Sequence, residues 1–288
     1  MNTLLLVGGE LCQRTAARLD PLQWQCVGLR RRPMPPAAGD RIQWHQADLA
    51  SPESLHRLAV AVFPRVTHVL YAPAPSGRDP ASYADVYSEG FPGLMAAFSE
   101  EQRRNLQRVV LVGSTAVWGA SDAWVDESTP MQRNGFRSEC IIDAITALQV
   151  LLPAPVGVAL CPSGLYGPGR TRLLEGLRKG SMVAPDGPGH WANRLHIDDA
   201  ARACAHLLGL PNPDPLYIAT DDTPMPTADL YDAVARLLDA PPVARQTQPG
   251  SGKRLSNRRL KASGWTPRWP DTIEGYRALI RVAGGTPM

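Results

Sequence analysis

Ser114 and Thr115 are two hydroxyls standing where a bound molecule could react. They follow Val109-Val110-Leu111-Val112, a short β-branched apolar run closed by Gly113. Such a run marks a strand buried on both faces of a parallel sheet, and ligands of open α/β sheets lie at the carboxyl ends of the strands. A hydroxyl there can polarise a carbonyl by hydrogen bonding; an ordinary Ser/Thr turn is the alternative. The second group with chemistry in it is Arg30-Arg31-Arg32, which follows the run Gln25-Cys26-Val27-Gly28-Leu29. Guanidinium forks match phosphate oxygens bidentately. In a dinucleotide-binding βαβ unit this position carries an acid for the ribose hydroxyls of NAD, or an Arg for the 2′-phosphate of NADP. No Asp or Glu stands there, so NADP is the expected cofactor ahead of NAD, with a merely solvated basic turn as the alternative.

These residues need elements to position them. Thr3 to Val7 reads as a buried first strand and Gly8-Gly9 as the turn out of it. Leu11, Cys12, Thr15, Ala16 and Leu19 form one face of a following helix. Strand, glycine turn and helix open a βαβ unit whose full fingerprint is Gly-x-Gly-x-x-Gly, which lets backbone approach a pyrophosphate at the helix N-terminus. Counted from Gly8, Glu10 takes the second glycine position and Gln13 the third, so the turn carries bulk and negative charge. A plain strand-to-helix turn is the competing reading.

Ile42 to His45 reads as a third strand, ending in Gln46-Ala47-Asp48-Leu49. Ser51-Pro52-Glu53 has the order of a helix start, N-cap, Pro, then acid, with Leu55, Leu58, Ala59, Val62 and Phe63 as the buried face. Thr67 to Tyr71 reads as a fourth strand. The two prolines of Ala72-Pro73-Ala74-Pro75 beyond it offer no backbone donors. Residues 82–100 read as a helix interrupted near Gly90-Phe91-Pro92-Gly93. Val156 to Leu160 and Leu216 to Ala219 read as further strands, Thr227 as the cap of an amphipathic helix, and 271–282 as the last helix. Pro33 to Asp40 and Pro241 to Gly252 read as loops.

The string Gly113-Ser114-Thr115-Ala116-Val117-Trp118-Gly119 resembles the Ser-Ser-x-x-x-Val-Tyr-Gly signature of extended short-chain dehydrogenases/reductases, the NAD-dependent epimerase/dehydratase family. Pro162-Ser163-Gly164-Leu165-Tyr166-Gly167-Pro168-Gly169-Arg170 is similar to the family's segment beneath the nicotinamide. Asn193-Arg194-Leu195-His196-Ile197-Asp198-Asp199-Ala200-Ala201 is similar to its loop into a later helix. The resemblance runs from Thr3 to Ile280. It implies an α/β fold with a doubly wound parallel sheet, the Rossmann fold, built from residues 1–162 and 195–222, and a smaller C-terminal substrate lobe of 163–194 and 223–288.

The same resemblance puts Ser114 on the family's catalytic Ser/Thr. It lays Gly8, Gly9, Glu10, Leu11, Arg30, Arg31, Asp48, Leu49, Ala72, Pro73, Pro162 and Ser163 along the dinucleotide, with a plain turn as the rival role for Asp48. Thr115, Trp118 and Arg194 fall at the substrate, Trp118 standing where relatives carry Tyr. Asp198 or Asp199 is expected to cap its helix. One departure is chemical. The family's Tyr-x-x-x-Lys pair is absent, because no Tyr in this chain has a Lys four residues on, and in Gly135 to Asp143 the only strong polar candidates near the expected positions are Arg137 and Glu139. Arg cannot act as a base at neutral pH. Tyr166 and His196 are the nearest substitutes by position, each with core packing as its alternative.

Composition bounds the rest. The 288 residues, 44% hydrophobic, suffice for a sizeable core. No apolar run approaches the ~20 residues of a membrane span. Five cysteines without a Cys-x-x-Cys pair argue for reduced thiols in a cytoplasm and against a zinc site. A net charge of +3 gives no footprint for nucleic acid. The expected partners are a small-molecule substrate and a second copy of the chain as a homodimer. Three functions fit: an NADP-dependent oxidoreductase or epimerase-like enzyme with an altered catalytic set, a dinucleotide-binding sensor without chemistry, or a scaffold that binds no nucleotide.

Overall fold

The apolar runs become strands. A computed structural model describes residues 1–32, 41–121, 123–250 and 252–283; the loop expected over Pro33 to Asp40 lies outside them. The chain divides into two compact units, 1–117 with 131–161 and 201–217, and 118–130 with 162–200 and 218 onward.

The first unit is built on β1 (Asn2–Gly8), β2 (Trp24–Arg30), β3 (Ile42–Gln46), β4 (His68–Ala72), β5 (Arg108–Val112) and, after a small strand β6 (Trp124–Val125) of the second unit, β7 (Gly157–Pro162). With a later strand, β12 (Leu216–Ala219), they form one seven-stranded sheet in the order β12-β7-β5-β4-β1-β2-β3. Every pair from β7 to β3 runs parallel. The order reverses between β1 and β4, and such a switch point opens a crevice beyond the strands' carboxyl ends. Buried on both faces, β5 and β7 carry no exposed residue, as their continuous apolar runs require.

The helices of this unit are α1 (Glu10–Ala16), α2 (Pro52–Ala61), α3 (Pro80–Ala84), α4 (Gly90–Ala97), α5 (Glu100–Arg104) and α6 (Phe136–Leu151). Ser51 caps α2 by accepting from the Ser54 N–H. The expected break at Gly90 to Gly93 falls earlier. Gly90 opens α4, and Pro92 sits in its first turn, where a missing N–H costs little. Gly90 is needed because a Cβ there would lie 2.1 Å from the Asp85 carbonyl oxygen.

The second unit holds β8 (Gly164–Tyr166), β9 (Val183–Asp186), β10 (Trp191–Ala192), β11 (Arg194–His196), β13 (Met225–Pro226), β14 (Ala244–Thr247) and β15 (Arg254–Leu255), all in two-stranded ribbons. Its core packs Tyr166 of β8 with Leu173, Leu174, Leu177, Leu230, Val234 and Tyr276 from α7 (Arg172–Arg178), α9 (Thr227–Leu237) and α11 (Thr272–Ala283). α10 (Arg258–Ala262) also belongs to this unit, while α8 (Ile197–Gly209) has only its first residues here and 201–209 in the first unit. Residues 118–130, expected in the dinucleotide domain, pack in this unit instead. β6 pairs with β15, the Ser256 N–H donates to Val125 O at 2.9 Å, and the buried Glu127 carboxylate accepts from the Ile218 N–H at 2.7 Å.

Candidate functional site

In the first unit the candidate residues gather at the switch point. Gly8 closes β1 opposite Ala72 of β4. Its φ of +140° lies outside the range of L side chains, and a Cβ would meet the Ala72 carbonyl oxygen at 2.4 Å. Gly9 follows as the residue before α1, with no atom within 4 Å of where its Cβ would be. The turn therefore leaves the open room that a closely approaching diphosphate needs. The Glu10 carboxylate does not stand loose in that room; Arg14, one turn along α1, holds it at 2.9 Å. Leu11 is buried in the core. Ala72 and Pro73 remain half-exposed.

Arg30, at the end of β2, stacks its guanidinium 4.0 Å from the centroid of the Trp44 ring. The sequence permits this because Gly28 pairs with Trp44 across β2 and β3, and a side chain at Gly28 would run into the indole. Cation–π stacking of this kind fixes the plane of the fork. Arg31 is exposed, its carbonyl accepting from the Gln46 amide at 3.1 Å. Asp48 is an exposed turn residue whose carboxylate accepts from the Ala50 N–H at 3.1 Å, with Leu49 half-buried beside it.

Ser114 stands half-exposed just beyond β5, its hydroxyl oxygen accepting from the Ala116 N–H at 3.2 Å. Thr115 is buried at the start of a short 3₁₀ turn. The helix expected to bear an acid/base pair forms as α6, sixteen residues long, and contains neither Tyr nor Lys. Arg137 in its first turn lies 5.9 Å from the Tyr83 ring centroid.

In the second unit the two segments picked out for their resemblance come together. β8 and β11 pair in parallel, setting Arg194 opposite Gly164 and His196 opposite Tyr166. The Tyr166 and His196 rings meet edge to face at 5.2 Å, and Tyr166 stacks on Tyr276 at 4.6 Å. Tyr166 is 1% exposed and His196 4%. The proton-donor role expected for these two does not fit that packing. Burial, followed by the nearby Asp221 carboxylate, pushes the Tyr166 phenol well above its ordinary range, and its hydroxyl finds no hydrogen-bond partner among the described residues. Tyr166→Phe should therefore leave the protein as stable or raise stability by about 1 kcal/mol, since it deletes an unsatisfied buried group. Urea unfolding checks this; a loss above about 1 kcal/mol would reveal a partner for the hydroxyl.

Two further expectations change. Trp118, placed at the substrate, is 2% exposed, and its indole N–H donates to Thr129 O at 2.8 Å. It pins its own loop. Asp198 and Asp199, expected before α8, lie inside its first turn, and the Asp199 carboxylate accepts from the Arg268 and Trp269 N–H groups at 2.7 and 2.9 Å. Pro162 is buried, and Ser163 is buried with its hydroxyl donating to Thr220 Oγ1 at 3.0 Å. Arg194 keeps partial exposure. Lys253 was not singled out by sequence. Its ammonium donates to the Trp118 carbonyl, and burial draws its pKa down. The one signal for it was its rarity, as one of three lysines in the chain.

Among the described residues no group of His, Cys, Asp or Glu is arranged to hold a metal, and no helix is long and apolar enough to cross a membrane. All five cysteines are buried free thiols.

No family model matches the sequence. A solved chain from Methylobacillus flagellatus, assigned as an NAD-dependent epimerase/dehydratase, is 32% identical, with 98% of each chain covered and a TM-score of 0.79. Protein YeeZ of Escherichia coli (strain K12) is 28% identical over 174 residues; the match takes in 58% of this chain and spans 61% of the length of YeeZ. UDP-glucose 4-epimerase of Thermus thermophilus, solved with NAD, shares the fold at a TM-score of 0.81 and 20% identity, covering 99% of this chain and 100% of that one.

Proposed function

The chain belongs to the NAD-dependent epimerase/dehydratase family, and from that premise we propose that it binds a nicotinamide dinucleotide, NADP(H) ahead of NAD(H), and reduces or oxidises a small carbonyl or sugar-nucleotide-type substrate slowly. The observation that carries this reading is the switch-point turn, where Gly8 abuts β4 and Gly9 leaves open room beside α1. Gly8 and Gly9 would admit the diphosphate by backbone approach. Arg30, held flat on Trp44, and the exposed Arg31 would take the 2′-phosphate. The dinucleotide, when bound, supplies or accepts the hydride.

Ser114 Oγ–H would donate to the substrate carbonyl oxygen and stabilise negative charge as it develops there. A serine hydroxyl has too high a pKa to deliver the proton itself. With Tyr166 and His196 packed away and α6 lacking Tyr and Lys, that proton is left to water. A positioned acid/base is typically worth about 10²–10⁴-fold, so turnover lacking one is slow. The buried free thiols suit a reducing compartment such as the cytoplasm.

The test is single-turnover oxidation of bound NADPH by a panel of carbonyl compounds. Ser114→Ala should slow it by about 10²–10³-fold, the usual worth of one such donor, while Tyr166→Phe leaves the rate unchanged. An unchanged rate in Ser114→Ala removes Ser114 from the chemistry. The absence of Tyr and Lys from α6 specifically favours a second reading, a dinucleotide sensor; tight NADPH binding with no turnover on any carbonyl would establish it.

A further inference from the structure

We propose that the second unit carries a separate binding site for a carbohydrate bearing an anionic group, in the cavity walled by Trp124, Asp221, Asp222, Asn257, Arg258 and Lys261. The cavity measures about 620 Å³, within the range of small-molecule sites. Its lining falls wholly inside this unit and includes none of the residues assigned above to dinucleotide or substrate.

Three features define the ligand. Trp124 is a large apolar ring left 55% exposed. β6 sets it opposite Arg254 of β15, and the Arg254 guanidinium lies 5.4 Å from its ring and 4.9 Å from that of Trp191. The indole is thus held in a fixed plane. Its negative π-face matches the weakly positive C–H face of a pyranose ring.

Acceptors for sugar hydroxyls are fixed in the same wall. The Asp222 carboxylate is held by Lys261 at 2.8 Å and by the Asn257 amide at 2.8 Å. That amide also donates to the Thr220 carbonyl at 2.8 Å.

One cation of the wall is left for a ligand's anionic group. Glu127 is paired with Arg259 at 3.7 Å and Asp222 with Lys261, and Asp126 accepts from the Ser128 N–H and hydroxyl at 2.9 and 2.6 Å. Arg258, exposed at the start of α10, makes no ion pair among the described residues. Its fork suits a phosphate or carboxylate. Ring platform, fixed acceptors and one unmatched guanidinium together describe a sugar phosphate or a uronate.

The experiment is calorimetric titration of the full chain with glucose 1-phosphate, glucuronate, glucose and inorganic phosphate. Saturable binding of glucose 1-phosphate or glucuronate is expected, at least about tenfold tighter than glucose or phosphate. Trp124→Ala and Arg258→Ala, both at exposed positions, should each weaken it by about tenfold or more while leaving the NADPH-induced melting shift of the parent unchanged. No saturable binding up to about 10 mM, equal binding of neutral glucose, or full binding in both variants would overturn the proposal. An intact NADPH shift in the same samples separates that failure from a failure of the dinucleotide reading.

Discussion

Gly8→Val should cost the first unit about 3 kcal/mol or more of stability and lower its urea midpoint accordingly. Two penalties coincide. The residue sits at φ +140°, which a β-branched side chain does not adopt. The added Cβ would also meet the Ala72 carbonyl oxygen at 2.4 Å, its carbon at 2.7 Å and Pro73 N at 3.1 Å. All three are backbone atoms of the neighbouring strand and its exit, so no side chain can swing aside. Relief requires the β1–β4 register to open at Gly8–Ala72. Gly9→Ala is the paired control, because nothing lies within 4 Å of its Cβ position. It should keep the fold and weaken dinucleotide binding. A Gly8→Val protein as stable as the parent would mean that the turn is looser than described.

Stability should fall as pH rises from about 4 to about 7, and Asp221→Asn should remove most of that fall. Asp221 is buried, and burial lifts its carboxyl from 3.8 to about 7, against the opposing hydrogen bonds from Thr272 and Thr223. The folded state then binds a proton that the unfolded state has released. Such a group contributes stability in full below the unfolded pKa and loses it as pH climbs through the folded one. A displacement of that size sets an upper bound of about 4 kcal/mol. At pH 8 Asp221→Asn should be more stable than the parent by about 1–3 kcal/mol, because no buried charge needs solvating. The two should converge near pH 4. Urea midpoints at the two pH values give the comparison; equal stability of parent and variant at pH 8 would show that Asp221 ionises at little cost.

The sheet was legible because its strands are short, continuously apolar and buried on both faces, so β1, β4, β5 and β7 announce themselves without partners. The switch-point turn was legible for a similar reason, since Gly8 and Gly9 are local demands of the backbone. What the sequence hid depends on contacts across the chain. Trp118 reads as a substrate residue until its indole N–H is seen to bond Thr129 O. Asp198 or Asp199 reads as a cap, and nothing near Asp199 in sequence shows that its carboxylate binds the Arg268 and Trp269 N–H groups. Residues 118–130 follow β5 in sequence, yet Glu127 and Val125 tie them to 218 and 255–256. The wall at Asp221 and Asp222 has one local sign, a carboxylate doublet just after β12, and nothing nearby in sequence tells that it meets Asn257 and Lys261.

The most direct measurement is calorimetric binding of NADPH and NADH to the parent chain and to a double variant, Arg30→Ala with Arg31→Ala. If the guanidinium fixed on Trp44 reads a 2′-phosphate, NADPH binds the parent at least about tenfold tighter than NADH, as a charge-assisted contact of roughly 1.5–3 kcal/mol requires. The double variant then binds both equally. Equal affinity of the parent for the two cofactors, or binding of neither, would contradict the account.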